Sequence, residues 1–249
     1  MTAYTLACDM KVYNTITNPL EAAIVPLAPI ACFPLTETTG TVAQNIGSLG
    51  SAANGTISGV TLNAIDGPGG TRAPYADGVN DWFNLFSTAL ASAVNMNLVT
   101  VLFWCKLTEA TLTDATIDRI LSFSTDSSNK LGLYNATTNY IINGNYKAGA
   151  TDKYTSNITI NSSSWYLYSF AINDTANTAK LYVNTTSYNF PDPGTWSGAL
   201  TVARLAVNDL TFQYYIEGYF SSAVIMSAEL TSEQIQAIYA AGQETGWTT

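Results

Sequence analysis

The titratable groups that could do chemistry in this chain are one-sided: 18 Asp and Glu, nine Lys and Arg, and no histidine in 249 residues. Without histidine, Ser-His-Asp and Cys-His nucleophile systems and histidine-ligated zinc are excluded. Carboxylates alone suffice for glycoside hydrolysis, which holds two of them about 5 Å apart for retention and further apart for inversion. On a strand the efficient arrangement is acid-x-acid, because residues i and i+2 share a face. None of the acids has that spacing. Asp77/Asp81, Asp114/Asp118 and Glu229/Glu233 are four apart and fall in predicted turns or a helix. A non-catalytic protein is expected.

Binding chemistry is better supplied. Sugars are held by aromatic faces together with amide and carboxylate hydrogen bonds, and the chain has 15 Tyr and five Trp. Trp82, Trp104 and Trp165 lie in strand patterns and read as core. Tyr146, Tyr154, Tyr188 and Trp196 lie in predicted loops beside Asn143, Asn145, Asp152 and Asn189, and these four aromatics are the candidate carbohydrate-binding residues. Asp77 and Asp81, with Asp66 nearby, offer oxygen ligands for calcium; the competing reading has Asp77 and Asp81 capping their own turn. Cys8, Cys32 and Cys105 are odd in number and widely spaced, which suits buried thiols rather than a disulfide framework or a metal site. No cofactor is expected.

The net charge of −9 cannot neutralise a run of phosphates, so neither nucleic acid nor an anionic membrane is an expected partner. No apolar run reaches the roughly 20 residues of a spanning helix, and Met1–Asp9 lacks the pattern of a secretory signal. A soluble protein outside the Sec route is expected. With 47% hydrophobic and only 11% charged residues, its surface must be covered largely by Asn, Thr, Ser and Gly.

The elements that must position these residues are mostly short strands. Leu98–Cys105 is apolar on both alternating faces and predicts a central strand covered on both sides. Ile120–Phe123, Leu131–Tyr134 and Tyr140–Ile142 read as a meander, Trp165–Ile172 and Ala179–Val183 as a strand pair, and Leu200–Val207 as a further strand. Tyr75–Phe86 is a turn between two short strands. The C-terminal stretch begins as strand over Gln213–Phe220 and Ser221–Met226. A helix of about ten residues then starts at the capping box Thr231/Gln234 with the staple Leu230/Ile235 and stops at Gly242. Residues 1–31 differ: Tyr4–Tyr13 is a candidate strand, and Pro19, Pro26 and Pro29 break the rest into extended pieces whose apolar run Ala22–Ile30 suits packing on a neighbouring subunit or, equally, along its own sandwich.

Four pieces of sequence, in order, resemble one family. Phe33-Pro34-Leu35 with Glu37 and Gly40 is similar to its opening strand, and Ala76–Phe83 to its Asp-Gly turn. Trp165–Ile172 followed by Lys180–Asn184 resembles its paired strands, and Gly218–Met226 followed by Ala228–Tyr239 its closing strand and helix. The family is that of concanavalin A-like, laminin-G-like jelly-roll domains, found in lectins, glucanase-related proteins and phage virion proteins. Ser221 replaces an acid usual in the family and Thr185 a glycine; the first change argues against a bound calcium.

The resemblance implies an all-β fold: two antiparallel sheets in a jelly-roll sandwich, one short C-terminal helix, and an extended N-terminal arm. The expected organisation is an arm over 1–31 for assembly or docking and a jelly-roll domain over 32–249. Fold, composition and arm together suggest a non-enzymatic phage structural or decoration protein on the virion surface. Such a protein would be fastened to other virion proteins or sister subunits through residues 1–31 as a homo-oligomer, and would bind glycans weakly. The alternatives are a carbohydrate-binding or adhesin module of a secreted bacterial protein, and a polysaccharide-degrading enzyme.

Overall fold

The computed structural model describes residues 18–114, 116–149, 152–191, 193–207 and 213–244. The candidate strand Tyr4–Tyr13 and Cys8 lie outside the described residues. The described chain enters through α1 (Pro19–Ile24) and a 3-10 turn, Val25–Leu27. Then come β1 (Ala31–Phe33), β2 (Val42–Ala43), β3 (Gly55–Ser58), β4 (Thr61–Asp66), β5 (Arg72–Asp77) and β6 (Trp82–Asn84). Helix α2 (Thr88–Ala93) precedes β7 (Leu98–Leu107), and α3 (Glu109–Thr113) precedes β8 (Arg119–Asp126). The series continues through β9 (Asn129–Asn135), β10 (Ile141–Ala148), β11 (Asp152–Thr159), β12 (Tyr166–Asn173) and β13 (Thr178–Val183). It closes with β14 (Thr186–Asn189), β15 (Val202–Leu205), β16 (Glu217–Met226) and α4 (Ser232–Gln243).

These strands form two antiparallel sheets. The first has the order β14-β13-β12-β7-β16-β5-β4, with β1 also pairing on β16; the second has the order β11-β10-β9-β8-β15-β6-β3-β2. One edge of β16 is shared, Glu217–Tyr219 pairing with β5 and Ala223–Ile225 with β1. The turn at 78–81 joins β5 of the first sheet to β6 of the second, so it is a crossover between layers rather than a hairpin.

Between the sheets lies an aromatic core in which Phe33, Phe83, Phe103, Phe123, Phe170 and Phe220 are fully buried. A second apolar layer covers the outer face of the first sheet: Leu20 and Ile24 of α1 and Ile235 and Ile238 of α4 cluster with Leu102, Trp104, Leu167 and Val224. The double covering explains β7, whose Val99, Val101, Phe103 and Cys105 belong to the inner core while Leu102 and Trp104 belong to the helical layer.

Three local expectations are corrected. The proline-punctuated run is not extended throughout. The Asn18 side chain accepts the Glu21 N–H at 2.9 Å, and Pro19 occupies the first helical position, where no N–H is needed. The resulting helix buries Leu20 and Ile24, at 0% and 1% exposure, on this chain's own domain. In α4 the capping box forms as expected, but Gly242 is no stop: it lies inside the helix. A Cβ there would stand 2.2 Å from the Trp104 ring, so close packing is what requires the glycine. Finally, the strand expected from Gln213 begins at Glu217.

Candidate functional site

With α1 and α4 packed on the first sheet, the outer face of the second is the broad strand surface left to solvent. Side chains alternate along each strand. Phe83, Leu121, Phe123, Leu131, Leu133, Ile142, Tyr146, Ala203 and Leu205 enter the core, so the residues between them face outward. The ladders align those outward positions in one row across all eight strands. Tyr154 lies opposite Asn145, Asn145 opposite Gly132, Gly132 opposite Ser122, and Ser122 opposite Arg204. Arg204 then lies opposite Asn84, Asn84 opposite Thr56, and Thr56 opposite Val42. With about 4.8 Å between strands, the row is about 34 Å long.

Two flanking rows complete the surface. On one side Asn143 faces Tyr134 and Tyr134 faces Arg119; on the other Asp152 faces Lys147 and Lys147 faces Lys130. The Arg119 guanidinium sits 4.8 Å from the Tyr134 ring centre and that of Arg204 5.4 Å from the Trp82 ring. Such stacking holds a cation flat against an aromatic face. Gly132 and Ser122 form a low floor between the taller side chains. Ser122 and Asn145 are 5% and 7% exposed beneath their neighbours, so the shallow trough offers chiefly aromatic rings, the half-buried Asn84 and Asn143 amides and guanidinium donors, an inventory that suits polyhydroxylated ligands.

The structure separates the four aromatics singled out in the sequence. Tyr154 is 53% exposed and stands on the open face. Tyr188 is half-buried on β14, at the edge of the other sheet, and packs on the main core. Tyr146 and Trp196 are corrected outright. Tyr146 is fully buried, its ring 6.2 Å from that of Trp196 and 6.0 Å from that of Phe190. Trp196 is 4% exposed, with Nε1 donating to Thr125 Oγ1 at 2.9 Å and its backbone held at both ends by the Asn97 side chain. Tyr146 fills the core because the Asn- and Gly-rich stretch 143–148 is strand rather than loop, which turns it inward with Ile142 and Gly144, whereas Trp196 does lie outside the strands and is held inward by its hydrogen bonds to Asn97 and Thr125. The same alternation turns Asn143, Asn145 and Lys147 outward. Trp82, expected in the core, is half-buried on the open face. Tyr134, Arg119 and Arg204 escaped the sequence reading; only the ladder shows that they adjoin.

A second feature is a cleft of about 150 Å³ lined by Asp77, Asp114, Asp118 and Glu217 together with Thr111 and Tyr215. Burial, with the Asp114 charge adding, pushes the Asp118 carboxyl up despite the hydroxyl donated by Thr116. Burial raises Asp81 as well, against the lowering effect of the Asp77 N–H that it accepts at 2.9 Å. Tyr75 donates to Glu217, and burial together with that carboxylate raises its hydroxyl.

Calcium does not fit these residues. Asp77 Oδ1 caps the turn by accepting the Val79 N–H at 2.9 Å, and exposed Asp66 pairs with Arg72 at 2.6 Å. Among the described residues no group of three or more such side chains is placed to hold a metal ion. Cys32 and Cys105 are buried free thiols; burial, with Glu21 adding, pushes Cys32 up to about 12, and burial raises Cys105 also. Neither is a reactive thiolate.

Comparison with known proteins places the fold. The Laminin_G_3 family model, of the concanavalin A-like lectin/glucanases superfamily, matches residues 77–236. No curated protein matches the sequence. Among solved structures, the botulinum neurotoxin serotype D binding domain is similar with a TM-score of 0.62 at 16% identity, covering 87% of this chain and 52% of that one. The binding domain of botulinum neurotoxin DC in complex with SialylT gives 0.63 at 12%, covering 88% and 52%. Trypanosoma rangeli sialidase in complex with sialic acid gives 0.65 at 10%, covering 88% and 34%. The chain thus spans about half of the neurotoxin domains and a third of the sialidase.

Proposed function

The chain belongs to the concanavalin A-like lectin/glucanases superfamily, and from that premise we propose that it is a non-catalytic glycan-binding domain, displayed on a phage particle for adhesion to surface polysaccharide. The observation that carries the binding reading is the register-aligned row of outward side chains running unbroken across the second sheet, with Tyr154, Tyr134 and Trp82 as stacking faces. A similar neurotoxin binding domain in complex with SialylT, and a sialidase in complex with sialic acid of which this chain spans about a third, support a saccharide as ligand. Single sites of this shallow kind bind weakly, and many copies on one particle compensate. The test is polysaccharide retention of the full chain against a Tyr154→Ala, Trp82→Ala double variant. Retention lost with unchanged melting supports the site; unaltered retention overturns it.

The particle role is supported by the sparsely charged, Asn- and Thr-rich composition and predicts self-association through the N-terminal residues. Because Leu20 and Ile24 are part of the domain, the truncation to compare with the full chain starts at Asn18. Light scattering should give an oligomer for the full chain and a folded monomer for the shortened one. Monomers in both cases would remove the assembly reading and leave a free-standing lectin-like module.

A hydrolytic reading draws on the acidic cleft, where Asp118 with its raised carboxyl resembles a general acid beside other carboxylates. At about 150 Å³ the cleft is well below the roughly 300–1,000 Å³ of typical ligand sites, which favours binding over catalysis. Polysaccharide turnover that disappears in Glu217→Gln would reverse that preference.

A further inference from the structure

The glycan-binding reading of the open face is the premise here; the charge on that face specifies the class of sugar. The protein carries 18 acids against nine bases, yet four of the nine, Arg119, Lys130, Lys147 and Arg204, stand at outward positions of this one sheet face. Among the described acids, Asp152 stands with them, 3.4 Å from Lys147. Asp126 lies at the β8–β9 turn, where it accepts the Ser128 and Asn129 amides. Four cations against two acids leave the patch positive in a chain of net −9.

Folding explains this placement only in part, through the Lys147–Asp152 pair. Lys147 and Lys130 lie directly opposite each other in the ladder, an arrangement that like-charge repulsion disfavours. Arg119 reaches over the floor, its Nη1 3.7 Å from where a Cβ on Gly132 would stand, while its buried Nε has no hydrogen-bond partner among the described residues. Arg204 lies one strand beyond Ser122 on the same floor. Guanidinium groups held flat on aromatic rings are pre-organised donors for a carboxylate.

We propose that the trough over Gly132 and Ser122 seats an acidic saccharide unit. Its carboxylate is held by Arg119 and Arg204 with Lys130 and Lys147 alongside, and the neighbouring sugar rings lie on Tyr134, Tyr154 and Trp82. The overall negative charge repels dense polyanions such as nucleic acid, so selectivity falls on sparsely charged glycans.

The experiment is calorimetric titration of the full chain with oligogalacturonate and its methyl ester, and with sialyllactose and lactose, at about 50 and about 200 mM salt. The first pair differs only by esterification of its carboxylates and the second by the sialic acid added to a common lactose, and the two pairs distinguish an internal uronate from a terminal sialic acid. The acidic member of at least one pair should bind about tenfold or more tightly than its neutral partner and weaken with salt, and Arg119→Gln should abolish that difference. Gly132→Ala should weaken binding of acidic and neutral sugars alike without lowering the melting temperature, because a Cβ there meets only ordinary contacts at 3.6 Å and beyond. Equal binding of acidic and neutral members overturns the acidic specificity and leaves the glycan-binding reading intact. Binding of none of the four overturns both. Discrimination that survives Arg119→Gln overturns this site.

Discussion

At the scale of single residues, two side chains make opposite predictions about stability. Gly242 packs against Trp104 inside α4, where an added methyl has no room. Gly242→Ala should therefore destabilise by about 1–3 kcal/mol despite alanine's better helix propensity, read as a lower denaturant midpoint. Asp118 acts the other way. Its carboxyl is raised in the folded state, chiefly by burial, so the folded protein holds a proton more tightly than the unfolded chain. Its contribution to stability thus declines as pH rises from the ordinary carboxylate range through the raised folded value. Asp118→Asn, which keeps an oxygen for the Thr116 hydroxyl, should raise the melting temperature at pH 7 and leave it unchanged near pH 3. An equal effect at both pH values would refute burial of the charge as the cause. Neither residue's role was legible beforehand: the sequence offered Gly242 as a helix stop because the Trp104 ring that excludes a methyl lies more than a hundred positions earlier in the chain.

At the scale of elements, legibility followed how local the determining signal is. The start of α4 is written within four residues, Thr231 to Gln234, and both capping hydrogen bonds form. β7 is written in its own double-faced apolar run. β10 and β11 were obscured because Asn, Gly and Thr, which in isolation favour turns, are held in strand by neighbours on both sides of β10. Tyr146 and Tyr154 were thereby placed in loops, while the first fills the core and the second stands on the open face. The site itself needed registers between strands distant in sequence, such as Ser122 opposite Arg204, which no periodicity encodes. For α1, tertiary burial carries a helix of only six residues, too short to persist alone. Ile24→Ala should cost about 2–5 kcal/mol in chemical denaturation. A loss below about 0.5 kcal/mol would show that α1 does not hold to α4 in solution.

At the scale of the whole molecule, two sheets and a helical layer supply the cohesion, and the carboxylates first offered to calcium are engaged elsewhere, Asp66 with Arg72 and Asp77 and Asp81 with their own turn. A calcium ion present at a hundredfold its dissociation constant would add about 2.7 kcal/mol, or roughly 5–11 °C in melting temperature for a domain of this size. Chelation should therefore leave the melting curve in place; a downward shift of that order would reveal a site. The first sheet also has a particular order of construction. Its central pair joins β7 to β16, and eight other strands are translated between them. Until residues 217–226 leave the ribosome, Leu98–Leu107 has one bare edge and the inner core lacks Phe220, while Trp104 awaits the helix translated after them. A nascent chain in that state exposes the apolar surface and unpaired edge that promote aggregation. Synthesis of this protein thus commits the cell to holding an unfinished sandwich throughout the translation of everything that separates β7 from β16.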